Sequence, residues 1–265
     1  MNILQSYLSG IQKQDNELWE QEVPATHVAN LRRMIDKEHV FGLICGLIMI
    51  LLSVAMTLFQ NEISNIILRD VCMILLLGFL LPIYYILIIK KKSLSVLGFH
   101  KRKLIASLVI NVGAGISLLG MFISKNTEAV IFNVDSFFAI TYILVAGIFE
   151  MIFIYGFLRY EFERAFGILP AIFITAIFYS LHHAGFQPEF TKLFFVGIMY
   201  VTVFYFTHNI FSIFPFFWGV GAIWDVLVNS EAGSQIKNKE SFIIAILMFT
   251  AMIGISTSIY RKMKK

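Results

Sequence analysis

Three residues of this 265-residue chain stand where hydrolytic chemistry could be assembled: Glu150, His182 and Asp225. Glu150 belongs to the stretch FEMIFIYGFLRYEFER (149–164), inside an apolar run whose next charge is Arg159. An acid at the centre of a bilayer costs about 2.5–3.5 kcal/mol on insertion scales, so an intramembrane carboxylate is a functional candidate by default. A carboxylate can take a proton from water. A neutral imidazole within reach can share that water, bind a metal or donate to a developing oxyanion. His182, in the next apolar run, supplies the imidazole, and Asp225, in a later run, supplies a second acid.

The elements that must position these groups follow from composition. The chain is 58% hydrophobic and 14% charged, with a mean hydropathy of +0.79. Soluble domains carry roughly a quarter charged residues. The fold class read from this is an all-α polytopic membrane protein with the lipid bilayer as its solvent. The net charge of +4 does not point to nucleic acid, because the basic residues fall in short clusters beside apolar runs, the pattern of orientation signals. Cys45 and Cys72 lie in apolar runs at a spacing that suggests neither a disulfide nor a metal site.

Residues 1–38 are polar enough for a cytoplasmic segment and lack a signal-peptide layout, so no cleavage is expected. Ile3, Leu4, Tyr7, Leu8, Ile11, Leu18 and Trp19 recur at helical spacing, which predicts an amphipathic helix ending near Pro24. It would pack on the protein's cytoplasmic face or lie on the lipid surface. Residues 39–262 form the membrane domain. About 20 helical residues span a hydrocarbon core of ~30 Å, and eight runs qualify: 40–60, 71–89, 104–124, 138–160, 167–186, 190–207, 210–229 and 241–260. With the N-terminus inside, 16 Lys and Arg fall on the cytoplasmic side and 5 outside. That bias predicts eight spans with both termini in the cytoplasm.

The chemistry-bearing runs also resemble a known family. Glu150, Gly156 and Leu158 in EMIFIYGFL match EExxxRGxL, the first motif of the CAAX protease and bacteriocin-processing family of intramembrane peptidases. Phe178 and His182 match its second motif, FxxxH. The LGF loop at 97–99, the FGILPAI stretch at 166–172 and Asp225, where the family's seventh span has Asn or Asp, extend the resemblance over about 90–230. It implies a CAAX prenyl endopeptidase-like bundle in a bacterial cell membrane. It also implies hydrolysis of a membrane-associated peptide or protein tail, with Glu150 and His182 activating water and Asp225 completing the site. A divalent metal such as zinc is implied by the resemblance alone. Glu150, His182 and Asp225 offer one nitrogen and two oxygens, short of the usual histidine-rich catalytic zinc set.

The chain departs from the motifs in two places. Met151 replaces the second acid and Tyr155 the arginine. As i and i+4 neighbours, these two positions could hold an ion pair in relatives. Losing one buried partner costs about 3–5 kcal/mol, whereas exchanging both for packed apolar groups is often neutral, and Met against an aromatic ring is a sound substitute. The third motif is the harder case, because its histidine position, four residues before Asp225, is Gly221. A missing oxyanion donor costs roughly 10²–10³ in rate. His183 lies about 100° around the helix from His182; it could substitute for the missing imidazole but reads first as interfacial, and His208 as a surface residue. Arg159, Glu161, Glu163 and Arg164 read as a solvated helix end, and Phe204–Phe206 and Phe214–Trp218 as lipid-facing or interfacial aromatics. His182 falls in the outer half of its span, so the site is expected to open outward.

Two other functional classes fit the same residues. One is a catalytically impaired relative acting in bacteriocin immunity or as a membrane scaffold, favoured by Met151, Tyr155 and Gly221. The other is a solute or proton transporter with Glu150 as carrier, for which no inverted repeat or broken-helix signal is evident.

Overall fold

A computed structural model describes residues 37–59, 61–125, 133–185, 189–229 and 236–263, with no strand among the described residues. The amphipathic helix expected before Pro24 lies outside them. Among the described residues each of the eight apolar runs contains a helix: α1 (Lys37–Leu58), α2 (Glu62–Ile89), α3 (Leu104–Lys125), α4 (Val134–Phe166), α5 (Ile168–Leu181), α6 (Phe190–Thr207), α7 (Phe216–Val228) and α8 (Lys239–Met263). The chain is an integral, multi-pass membrane protein, but the helices are not eight equal spans. Six are long and apolar enough to cross a bilayer, while α5 and α7 are shorter. Gly167, at φ 84°, starts α5, and a tight turn ends it after 14 residues, about 21 Å of helix. The run expected from residue 210 loses its start to a 3₁₀ turn at Ile210–Ser212 and to Pro215, just before α7.

The centre of the bundle is α4. Asn133 caps it, its side-chain oxygen accepting from the Ser136 amide at 2.9 Å. From Glu150 to Leu158 the backbone widens to π-helical bonding, and all nine residues are buried. Such wide turns tend to mark functional sites. Against this stretch packs the 3₁₀ turn Leu94–Leu97, the start of the LGF loop. Close approach explains the motif glycine: a β-carbon on residue 156 would stand 3.2 Å from Leu97 Cβ and 3.3 Å from Leu97 O. Gly98 turns the chain at φ 90°, and its carbonyl accepts from the Ile210 amide at 3.0 Å. The loop therefore ties α4 to the connection between α6 and α7. Asn111 of α3 orients α7, its Oδ1 accepting from the Phe217 amide at 2.7 Å and its Nδ2 donating to Phe211 O at 2.8 Å.

Several expectations for polar and aromatic residues are overturned here. Arg159 and Glu161 are buried rather than solvated. The Arg159 guanidinium donates to Tyr155 O at 2.8 Å and Val96 O at 2.9 Å, pairs with Glu163, and lies 4.4 Å over the Phe204 ring. It has left solvent because α4 continues into the bundle beyond the apolar run, where two carbonyls and a carboxylate satisfy its donors. Phe204, Phe217 and Trp218 are buried in the core, whereas Phe206 and Phe216 face outward. His208 is half-buried, and its carbonyl accepts from His100 Nε2 at 2.8 Å.

Candidate functional site

Glu150 and His182 meet. His182 Nε2 lies 3.4 Å from Glu150 Oε1, and His183 Nε2 lies 3.8 Å from the same oxygen. All three residues are buried. The expectation that His183 points away fails for a geometric reason. Residues three and four positions after a helical residue both lie over it, and His182 and His183 stand in that relation to Tyr179. Their Nδ1 atoms bond its carbonyl at 2.5 and 2.8 Å, and the ring centroids are 3.8 Å apart. Local backbone makes this possible. The His183 amide bonds Ser180 O at 3.3 Å, one residue short of the α-helical partner, which leaves Tyr179 O for the two rings. The turn is tied to α1 by the Gly185 amide, which donates to Ser53 Oγ at 2.9 Å.

A carbonyl only accepts, so each Nδ1 donates and each neutral ring turns its Nε2 lone pair toward Glu150. Two such nitrogens facing a carboxylate oxygen can share a proton, a water or a cation with it. The ligating atoms of Glu150, His182 and His183 all lie within 4.8 Å of one another. Two imidazoles and a carboxylate are a known catalytic zinc set, and a backbone carbonyl on each Nδ1 is the usual outer support of metal-binding histidines. The residues present therefore fit a divalent ion. The donor set differs from the one read from the sequence, with His183 in the place of Asp225.

The second carboxylate oxygen has a different partner. Trp218 Nε1 donates to Glu150 Oε2 at 2.7 Å, linking α7 to α4. Residue 147 must be glycine for this, because a β-carbon there would collide with the Trp218 ring. Trp218 was not among the candidates read from the sequence. The usable signal was the need of a buried indole N–H for an acceptor.

Asp225 lines the same cavity but pairs with Lys192 of α6, which also donates to Glu189 at 2.6 Å. Gly221 lines it too, and a β-carbon on residue 221 would collide with the Tyr200 hydroxyl. The space a histidine side chain would need at its root is taken by a tyrosine. Tyr155, at the motif arginine position, is buried with its ring 5.6 Å from Tyr179 and 6.0 Å from Tyr200, and Met151 is buried as well. The cavity is about 230 Å³, and its remaining walls are mainly apolar, including Met73, Leu118, Phe122, Ile143, Val196 and Met199.

Comparison with known proteins bears on residues 132–227, which match the family model described as Rce1-like: Type II CAAX prenyl endopeptidase Rce1-like. That interval runs from the start of α4 to the end of α7 and contains Glu150, His182, His183, Trp218, Gly221 and Asp225. No curated protein and no solved structure matches the chain.

Proposed function

From an Rce1-like domain in an integral multi-pass membrane protein, we propose that the chain is an intramembrane endopeptidase hydrolysing a peptide bond in a membrane-associated peptide or protein tail. One observation carries this reading: a carboxylate oxygen and two imidazole nitrogens face one another in a cavity within the helical bundle whose walls are mainly apolar. Water held between Glu150 Oε1 and the two Nε2 atoms loses a proton to Glu150 as its oxygen attacks the substrate carbonyl carbon. That proton then passes to the amide nitrogen as the C–N bond breaks, leaving a carboxylate and an amine. Trp218 fixes Oε2 and Tyr179 fixes both rings, so the groups need little reorganisation at the moment of reaction. The Tyr200 hydroxyl, beside Gly221, supplies an O–H donor where the third motif lacks its imidazole. Glu150, His182 and His183 would hold a divalent ion, which when bound supplies Lewis acidity toward water and the scissile carbonyl. Asp225 with Lys192 lends polarity to the approach.

A second reading, a catalytically silent relative that binds a membrane partner, is favoured by Gly221, with no imidazole there and the Tyr200 hydroxyl filling its space. The test is a pair of strains, Glu150→Ala and His182→Ala, assayed for uncut membrane peptides. Both are expected to accumulate them while the proteins remain stable in detergent. Processing that survives both substitutions would sink the peptidase reading, and a partner that co-purifies equally with Glu150→Gln would support the second.

A further inference from the structure

Toward the other end of the bundle, the C-terminal end of α2, the loop after it and the C-terminal end of α8 enclose a groove of about 960 Å³. We propose that this groove binds an anionic phospholipid of the adjoining leaflet, with the phosphate on Lys91, Lys92 and Lys262 and the acyl chains on Ile83, Leu87 and Ile88. The polarity is graded along the helix. Ile83 precedes Ile89, the last residue of α2, by six residues, about 9 Å of helical rise, and Lys91 and Lys92 follow directly, so the groove passes from an apolar wall to a cationic rim as a lipid does from tail to headgroup. No Asp or Glu lines it among the described residues. The residues around it are open to lipid, with Ile89, Tyr260 and Met263 all exposed.

The lysines are held in place rather than merely present. Lys92 Nζ donates to Tyr160 Oη at 2.9 Å, and Lys262 Nζ lies 5.5 Å over the Tyr84 ring. Lys91 ends α2 in the left-handed region at φ 53°, with the Lys92 amide bonding back to Ile86 O at 2.9 Å. This is the helix-terminating position that glycine fills without strain. A lysine kept at that position is an outlier that calls for a role. Basic pockets between membrane helices are the recognised chemistry for anionic headgroups. A free phosphate would leave the apolar wall unused, and a zwitterionic lipid would bring its own cation to a rim lined by three lysines.

Purified protein in detergent is titrated with phosphatidylglycerol, phosphatidylcholine or inorganic phosphate. Bound lipid is counted by native mass spectrometry and the melting temperature is followed in parallel. Phosphatidylglycerol is expected to bind and stabilise, with affinity falling ~30-fold in Lys91→Gln/Lys262→Gln, about fivefold for each surface lysine. Lys101→Gln/Arg102→Gln, in the same loop but outside the groove, is expected to bind nearly as wild type. Lys91→Gly separates binding from folding, because glycine suits the left-handed position: it is expected to melt no lower than wild type and to bind ~5-fold more weakly. Equal binding of phosphatidylcholine, equal protection by phosphate, an equal loss in the loop control or full binding by Lys91→Gln/Lys262→Gln would each overturn the proposal.

Discussion

Exchanging His183 for alanine, beside Asp225→Asn, distinguishes the donor set assembled in the fold from the one read along the chain. His183 Nε2 is 3.8 Å from Glu150 Oε1 and belongs to the group of ligating atoms within 4.8 Å of one another, whereas Asp225 pairs with Lys192. Changing an outer supporting group of a metal site costs ~10–100-fold in affinity, so loss of a ligand is set at about 100-fold. A ligand that binds only the folded state stabilises by RT ln(1 + [L]/Kd), so zinc at 100 times the wild-type Kd contributes about 2.7 kcal/mol. After a 100-fold loss the same zinc contributes about 0.4 kcal/mol. At roughly 2–4 °C per kcal/mol for a chain of this size, the zinc-dependent shift falls from about 5–11 °C to about 1–2 °C. The assay is thermal unfolding of chelator-stripped protein in detergent, with and without zinc, and it needs no substrate. Asp225→Asn is expected to keep most of the shift. A full shift in His183→Ala, or a loss confined to Asp225→Asn, would refute the reasoning.

Trp218→Phe keeps the apolar body and removes the N–H that donates to Glu150 Oε2. A hydrogen bond to a charged group is worth about 1.5–3 kcal/mol, so peptide processing should slow by ~10–100-fold with little change in melting temperature. An unchanged rate would mean that this bond does not position the carboxylate. Arg159→Ala removes the guanidinium from Tyr155 O and Val96 O and leaves Glu163 to the Tyr205 hydroxyl, and it is expected to destabilise by about 3–5 kcal/mol. Thermal unfolding in detergent would show this as a large fall, with Arg159→Lys intermediate; a wild-type melt for Arg159→Ala would remove Arg159 as a staple. Gly98→Ala forces a β-carbon to within 2.7 Å of Phe204 Cε2 at φ 90°, and a loss of about 1–3 kcal/mol is expected in the same assay. Gly221→His alone is expected to lower stability and not to raise processing, because the Tyr200 hydroxyl fills the space. A gain in processing by that variant would overturn the account of the third motif.

Much of the fold was legible because its causes are local. Long apolar runs must become helices in lipid, where each backbone polar group needs an internal partner, and each of the eight runs contains a helix among the described residues, six of these helices being long enough to span. Their lengths were less legible. Residues 210–215 are nearly as apolar as a span, yet they and residues 182–185, which carry two histidines, form tight turns tied by contacts with Gly98 and Ser53. The solvated reading of Arg159 failed similarly, since charge density near a span end does not reveal that two distant carbonyls and the Phe204 ring will enclose the group.

Chain chemistry alone marked Glu150 as an acid with no ordinary reason to lie in a membrane, and placed His182 on the following helix. It also exposed the missing imidazole at Gly221. These are statements about residue type and order, which sequence carries in full. Which side chains share a cavity was decided by tertiary structure. The Tyr179 carbonyl gathers both histidines, Trp218 crosses from α7 to hold the carboxylate, and Lys192 draws Asp225 to itself. Each of these partners lies on a different turn or helix from the group it controls. Periodicity reports only the face a residue shares with its own helix, so the company Glu150 keeps became visible once the helices were packed.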